Sequence, residues 1–113
     1  MKKTIVKNLE TPDKSWMFLD GSKRTVVILK SIIIGRGEYL PGWRWSKHVG
    51  VQTGKNSEAH TGYIFSGKMM LLEADGQEIL VKQGDFFEIG PGHDAWVVGN
   101  EKCIAFDFEH LKS

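Results

Sequence analysis

The chain carries a single cysteine, Cys103, in 113 residues, so no internal disulfide can close, and neither a CxxC pair nor a dense Cys/His cluster is present to suggest a structural zinc module. A reducing compartment is expected, and the cytoplasm fits best. Long apolar runs are also missing. The longest, such as residues 26–29, are strand-length, and behind the basic Lys2 and Lys3 the residues Thr4, Lys7, Asn8 and Glu10 interrupt any leader or membrane span. Charge of one sign is lacking as well: fifteen Lys and Arg against fourteen Asp and Glu leave +1. That supplies no field for a phosphate backbone or an anionic bilayer, which argues against nucleic acid and membrane as partners. Helix signals are poor, because every window of 3.6 periodicity meets Gly or Pro before three turns are complete. No GxxxxGK loop, no GxGxxG after a strand and no Ser/His/Asp nucleophile set can be found, which removes support from nucleotide-dependent and hydrolase readings.

What is present is ordinary globular composition, 41% apolar and 26% charged, in a length that suits one domain spanning 1–113. Thirteen glycines punctuate short segments rich in Val, Ile, Phe, Trp and Tyr, the pattern of many short strands joined by turns. Residues 68–74 and 77–82 flank Asp75-Gly76 and predict a hairpin. Residues 24–34 predict a long strand that Gly35-Arg36-Gly37 bends into a second one over 38–45. Residues 60–66 and 95–98 predict further strands. In the last segment Ile104, Phe106 and Phe108 alternate with Cys103, Ala105, Asp107 and Glu109, as a half-buried strand would. About ten short strands in one small domain must close into a barrel or stack as two sheets.

Four histidines, His48, His60, His93 and His110, are the most informative polar residues, and the first three fall at strand starts or after turns in the glycine-rich middle. Here the sequence resembles the small single-domain cupins, whose fold is a double-stranded β-helix or jelly-roll barrel. Gly42, His48, Tyr63-Ile64-Phe65-Ser66 and Gly67 follow the first cupin motif, with His60 standing at its Glu position. Gly84-Asp85 through Pro91-Gly92 follow the second, with Gly90 where the family has proline. The resemblance covers roughly half of the chain. In the family two His and the Glu of the first motif and the His of the second commonly hold a metal. Here Gly50 and Ala95 occupy two of those four positions, and the segment between His48 and His60 is longer than the pattern, with Gly54-Lys55-Asn56-Ser57 reading as an inserted turn.

His93 lies two residues before Ala95, and period-two alternation points both to one face. His48, His60 and His93 could then form a three-histidine set for one divalent transition metal (Zn, Fe, Ni or Mn) with an open position. Such a site would suit a dioxygenase or isomerase. In the alternative reading the same imidazoles are hydrogen-bond partners in a metal-free pocket for a small molecule, and the loss of two family ligands favours this one. Trp43, Trp45 and Trp96 are expected to line that pocket, bury a dimer contact or pack in the core. Arg44 shares strand parity with His48, so it either faces the pocket, where it could pair with a carboxylate or phosphate, or stays solvated. Tyr63 is a candidate proton donor or substrate partner, or else an aromatic core residue. Cys103 is expected as a packed thiol and Asp85 as a turn residue. The resemblance also implies a homodimer, for which residues 16–19 and 26–34 could supply the surface.

Overall fold

The computed structural model describes residues 3–111, and Lys2 of the basic start lies outside them. The described residues form nine strands: β1 (Lys14–Met17), β2 (Lys23–Ile28), β3 (Ile32–Tyr39), β4 (His60–Ser66), β5 (Lys68–Leu72), β6 (Glu78–Lys82), β7 (Phe86–Ile89), β8 (Asp94–Val97) and β9 (Cys103–His110). They pair into a six-stranded antiparallel sheet, β1-β2-β3-β9-β4-β7, and a three-stranded one, β6-β5-β8. The two sheets close on one core. Ile64, Ile89, Cys103 and Ala105 of the larger sheet meet Met69, Leu71, Val81, Ala95 and Val97 of the smaller, with Trp43 in the same cluster. The expected all-β jelly-roll barrel is therefore the architecture found. Among the described residues no helix is long and apolar enough to cross a membrane.

The hairpin around Asp75-Gly76 forms as β5 and β6, with Asp75 accepting from the Gln77 N–H at 2.9 Å. Asp85 likewise holds its turn by accepting from the Lys82 N–H at 2.9 Å. The stretch 24–34 is not one strand. It turns at 29–31, where the Leu29 N–H reaches the Ile32 carbonyl at 3.0 Å, and returns as β3. Gly35 and Gly37, expected to bend the chain, instead sit in the middle of β3, opposite Asp107 and Ala105 of β9. The reason is room, since a Cβ at Gly35 would come 2.6 Å from the Arg24 guanidinium and 2.7 Å from the Asp107 carboxylate. Period-two alternation puts Arg24, Val26, Gly35, Gly37, Tyr39 and Asp107 on the inner face of the sheet. On β9 it is the small Cys103 and Ala105 that are buried, while Phe106 and Phe108 face outward.

The strand expected over 38–45 stops at Tyr39. A turn at Leu40-Pro41-Gly42, with Gly42 at φ +90°, delivers Trp43-Arg44 to the free edge of β8. The chain then winds through a π-helical turn, Ser46–Gly50, and an α-helical turn, Val51–Thr53 (together α1), ended by Gly54 at φ +70°. No helix is expected from the sequence there, because Gly50 breaks the pattern. In the fold Gly50 is required, since its missing Cβ would lie 2.8 Å from the Trp45 ring.

The N-terminal arm crosses the outer face of β2 and β3, pinned by Arg36 donating to Glu10 at 2.8 Å. Val26 and Val27, which the sequence suggested as dimer surface, are buried at 3% and 6% exposure, the first inside the barrel and the second beneath this arm. Core burial takes these residues because adjacent positions on a strand covered on both sides are removed from water together.

Candidate functional site

Two of the three predicted histidines meet at one end of the barrel. His60 opens β4 on the inner face, opposite Ile89, and His93 sits just ahead of β8, buried at 5% exposure. Their ring centroids are 5.0 Å apart. His93 is set by Gly92 at φ +78° and clasped from both sides, with the Gly92 N–H on the Ser57 carbonyl and the Ser57 hydroxyl donating to the His93 carbonyl at 2.6 Å. Its Nδ1 lies 2.8 Å from the Gly90 carbonyl. A carbonyl only accepts, so Nδ1 carries the proton, which in the neutral tautomer leaves Nε2 as the acceptor. The longer contact of His60 Nδ1 to the Glu58 carbonyl, 3.4 Å, assigns the same tautomer there. His60 is open to water on one side, yet the protein packed around its ring lowers its pKa, His93 and Arg24 adding to that effect and Glu58 and Asp107 opposing it.

His48 does not join them. It lies in α1 instead of on a strand, so the parity argument that placed it beside Arg44 lapses, and its Nδ1 accepts from the Arg44 N–H at 2.9 Å. Among the described residues no three His, Cys, Asp or Glu side chains come together as a metal-holding group. A structural zinc site takes four protein ligands and a catalytic one three, so the two imidazoles here do not fit the metal that the cupin resemblance implies.

The remaining predicted residues are dispersed. Trp43 is a core residue, 3% exposed, its ring 4.2 Å from that of Tyr39. Trp45, just ahead of α1, packs against the core. Arg44 and Trp96 form an isolated bridge, and the alternation of β8 turns Asp94 and Trp96 away from the core that Ala95 and Val97 enter. There Arg44 donates to Asp94 at 2.8 Å and lies 4.4 Å over the Trp96 ring. Asp94 also accepts from the Ser46 and Ala95 N–H groups, both at 2.9 Å. Burial alone would raise the Asp94 pKa, but these donors hold it below the usual carboxylate value. Arg44 thus commits its Nε to Asp94 and its face to Trp96, while its side chain stays 37% exposed. Tyr63 faces outward on β4, its ring 4.4 Å from that of Phe86. Cys103 is a packed thiol, fully buried and pushed up to about 11 by burial.

The residues that the motifs did not reveal are Arg24 and Asp107. Arg24 donates through Nε to Asp107 at 3.0 Å and through Nη2 to its other oxygen, a two-pronged pair on the inner face. The Trp16 ring centroid is 5.6 Å from the same guanidinium. Asp107 lies opposite Gly62, the neighbour of His60 on the inner face of β4, and Phe87 flanks the other side with its ring 5.9 Å from His60. Gly62 admits that ring, since a Cβ would come within 2.4 Å of it. The signal for Arg24 and Asp107 was the pair of glycines in β3, which looked like a bend.

The mouth so formed is a rim that brings together two imidazoles with their Nδ1 atoms on carbonyls, a paired guanidinium whose Nη1 has no hydrogen-bond partner among the described residues, and the rings of Trp16 and Phe87. Two open grooves lie elsewhere. One of about 600 Å³ sits at the opposite end of the barrel, by Gly67, Lys68, Lys82 and Asn100, and one of about 500 Å³ runs beneath the N-terminal arm.

These features define a small jelly-roll domain with imidazoles at one open end. Solved structures give the class its name: the chain has the cupin fold. It superposes on a sugar phosphate isomerase of the cupin superfamily from Silicibacter pomeroyi with a TM-score of 0.68 at 11% identity, over 93% of this chain and 74% of that one. KdgF from a Halomonas species matches with a TM-score of 0.65 at 15% identity, over 99% and 97% of the two chains. A candidate sugar phosphate isomerase from Acidithiobacillus ferrooxidans matches with a TM-score of 0.58 at 19% identity over 80% of this chain, which spans only 60% of that protein. No family model and no curated protein matches the sequence.

Proposed function

We propose that this chain is a metal-independent small-molecule-binding cupin whose ligand sits on the rim formed by His60, His93 and the Arg24–Asp107 pair. The observation that carries the reading is the His60–His93 pair, 5.0 Å between centroids, with both Nδ1 atoms spent on carbonyls and both Nε2 atoms left as acceptors. A hydroxyl-bearing molecule suits such a rim. Its hydroxyls donate to the Nε2 atoms, an oxygen accepts from the unused edge of Arg24, and its apolar face rests on Trp16 or Phe87. The Arg24–Asp107 pair neutralises itself, so the rim has no excess charge with which to demand an anion. The sugar phosphate isomerase from Silicibacter pomeroyi, alike in fold, supports a sugar-sized ligand. A three-histidine metalloenzyme would need His48 to give up the Arg44 N–H and leave α1.

The test is a thermal-shift screen against neutral monosaccharides, sugar acids and sugar phosphates, each run with and without chelator, on wild type and on His93→Gln and Arg24→Met variants checked for folding. The expected hit survives the chelator and is lost in both variants. A hit that needs added metal, or one that both variants retain, overturns the reading. We also propose that the protein is cytoplasmic, since its single thiol is buried without a disulfide partner, and that it is a homodimer.

A further inference from the structure

The homodimer reading leaves open which surface pairs, and the outer face of the larger sheet answers that. Alternation along β4, β7 and β9 turns Tyr63, Phe65, Phe86, Ile104, Phe106 and Phe108 away from the core. They form a layer of their own: Tyr63 stacks on Phe86 at 4.4 Å, and Phe65, at the bulge in β4, meets Phe106 edge-on at 6.0 Å. Yet the layer is uncovered. Phe86 is 72% exposed and Phe65 54%, more than any other aromatic side chain among the described residues. The adjoining half of the same face, over β2 and β3, is crossed by the N-terminal arm, whose Ile5 and Leu9 line an open groove together with Val27 and Ile34. The N-terminal arm thus shields part of one half of the outer face, and the other half is left in water.

We infer that the uncovered half, centred on Phe65 and Phe86, is the interface with a second copy of this chain. Charge and area both point to self-association. On the outward positions of β4, β7 and β9 the one acidic residue is Glu88 and the one histidine is His110, both toward the rim, with no lysine or arginine among them. A two-fold contact sets the same patch against itself, and a patch without a charge at its centre meets no like-charge penalty on doing so. An aromatic side chain offers on the order of 200 Å², so Phe65 and Phe86 alone leave about 250 Å² of ring in water. Two copies face to face would remove about 500 Å² from these four rings, and the partly exposed Tyr63, Ile104, Phe106 and Phe108 carry the total toward the roughly 1,000 Å² that a specific interface needs. A hydrophobic centre with a polar rim is the usual anatomy of such contacts. The rival surface is the exposed Trp16, Met17 and Leu19 beside the histidine mouth. Its exposed area is comparable, but Trp16 is already engaged with Arg24.

The test is sedimentation equilibrium across about 1 to 100 μM, which reaches the weak, micromolar end of the affinities such interfaces show, on wild type and on Phe86→Glu, Phe65→Glu and Met17→Glu. Circular dichroism and thermal midpoints check that each variant is folded, and the exposure of all three positions keeps the substitutions out of the core. Wild type is expected at twice the 12.8 kDa chain mass. Phe86→Glu and Phe65→Glu should weaken association by at least about 100-fold, as loss of a central aromatic anchor does, while Met17→Glu stays dimeric. A monomeric wild type throughout the range sinks the homodimer reading itself. A dimer that survives both phenylalanine substitutions keeps that reading and overturns this interface.

Discussion

Arg24 grips Asp107 with two parallel hydrogen bonds across the inner face of the larger sheet, in the space that Gly35 leaves by having no side chain. The pair spans 83 residues of sequence and ties β2 to β9 over the intervening β3. It is partly shielded, with side chains 29% and 21% exposed. Its worth should therefore lie between the near-zero value of a surface pair and the several kcal/mol lost on orphaning a buried charge. Arg24→Met or Asp107→Asn alone is expected to cost about 1 to 3 kcal/mol, because each strands the partner in a half-buried place. The double variant should cost less than the sum. Urea unfolding of all four proteins gives the coupling energy directly, and strict additivity would show that the pair contributes nothing as a pair.

His60 makes stability depend on pH in a window set by its own shift. Its folded pKa lies below the ordinary 6.5, so as pH falls through 6.5 the unfolded chain takes up a proton that the folded one resists. Unfolding free energy should fall with pH from neutrality down to the folded pKa of His60 and then level off. At lower pH, Asp94, Glu38 and Asp13, all held below their ordinary values, take over the loss. At Glu38 burial works the other way and is outweighed by Lys23 and Lys102. Replacing His60 with Gln should flatten the first window and leave the acid one untouched. Urea midpoints between about pH 5 and 8, the range in which histidine titrates, decide it. An unchanged slope in the variant would falsify the assignment.

The jelly roll was legible in the sequence because its signals are local. Alternation at 103–109 and a turn dipeptide at Asp75-Gly76 each act within a few residues, and both elements form where expected. The cupin resemblance supplied the arrangement of those strands. The histidine mouth was legible in part. Strand period put His93 on the face of Ala95 without deciding whether that face points into the barrel, whereas His48 could not be placed at all, since its position depends on α1. That segment is stabilised from elsewhere in the chain, by Asp94 accepting from the Ser46 N–H across 48 residues, and it has no capping side chain of its own. Gly35 and Gly37 misled for the same kind of reason. Their freedom from a side chain serves Arg24, Asp107 and the Tyr39 ring, which arrive from other strands or fold back from further along β3. A glycine that makes room reads locally like a glycine that bends.

Metal uptake provides a sharp check on the two-imidazole mouth. Protein purified without chelator is expected to hold zinc, iron, nickel and manganese well below one equivalent by elemental analysis. Chelator should leave its thermal midpoint unchanged, because a tightly bound metal would stabilise the fold in proportion to its affinity. With His93 and His60 supplying two donors and His48 engaged by Arg44, zinc added to wild type and to His48→Ala should bind equally weakly. Near-stoichiometric metal that disappears in both His48→Ala and His93→Ala would restore the three-histidine site.

Gly67 should be the costliest glycine to replace, and comparison with Gly42 separates two causes. Both have positive φ, +81° and +90°, so an alanine at either pays the left-handed backbone penalty of about 1 kcal/mol. At Gly42 an added Cβ would have nothing within 4 Å, and there the penalty should end. At Gly67 the added carbon would fall 2.7 Å from the Lys102 carbonyl and 2.8 Å from the Cys103 Cα. These are backbone atoms at the start of β9, where Cys103 is fully buried, so they cannot step aside as the tip of a long side chain can. Gly67→Ala is therefore expected to lose about 2 to 4 kcal/mol, the range of overpacking added to backbone strain, against about 1 for Gly42→Ala. Equal losses in denaturant unfolding would mean that the β4–β5 turn moves as a unit and that the close approach to β9 carries no strain.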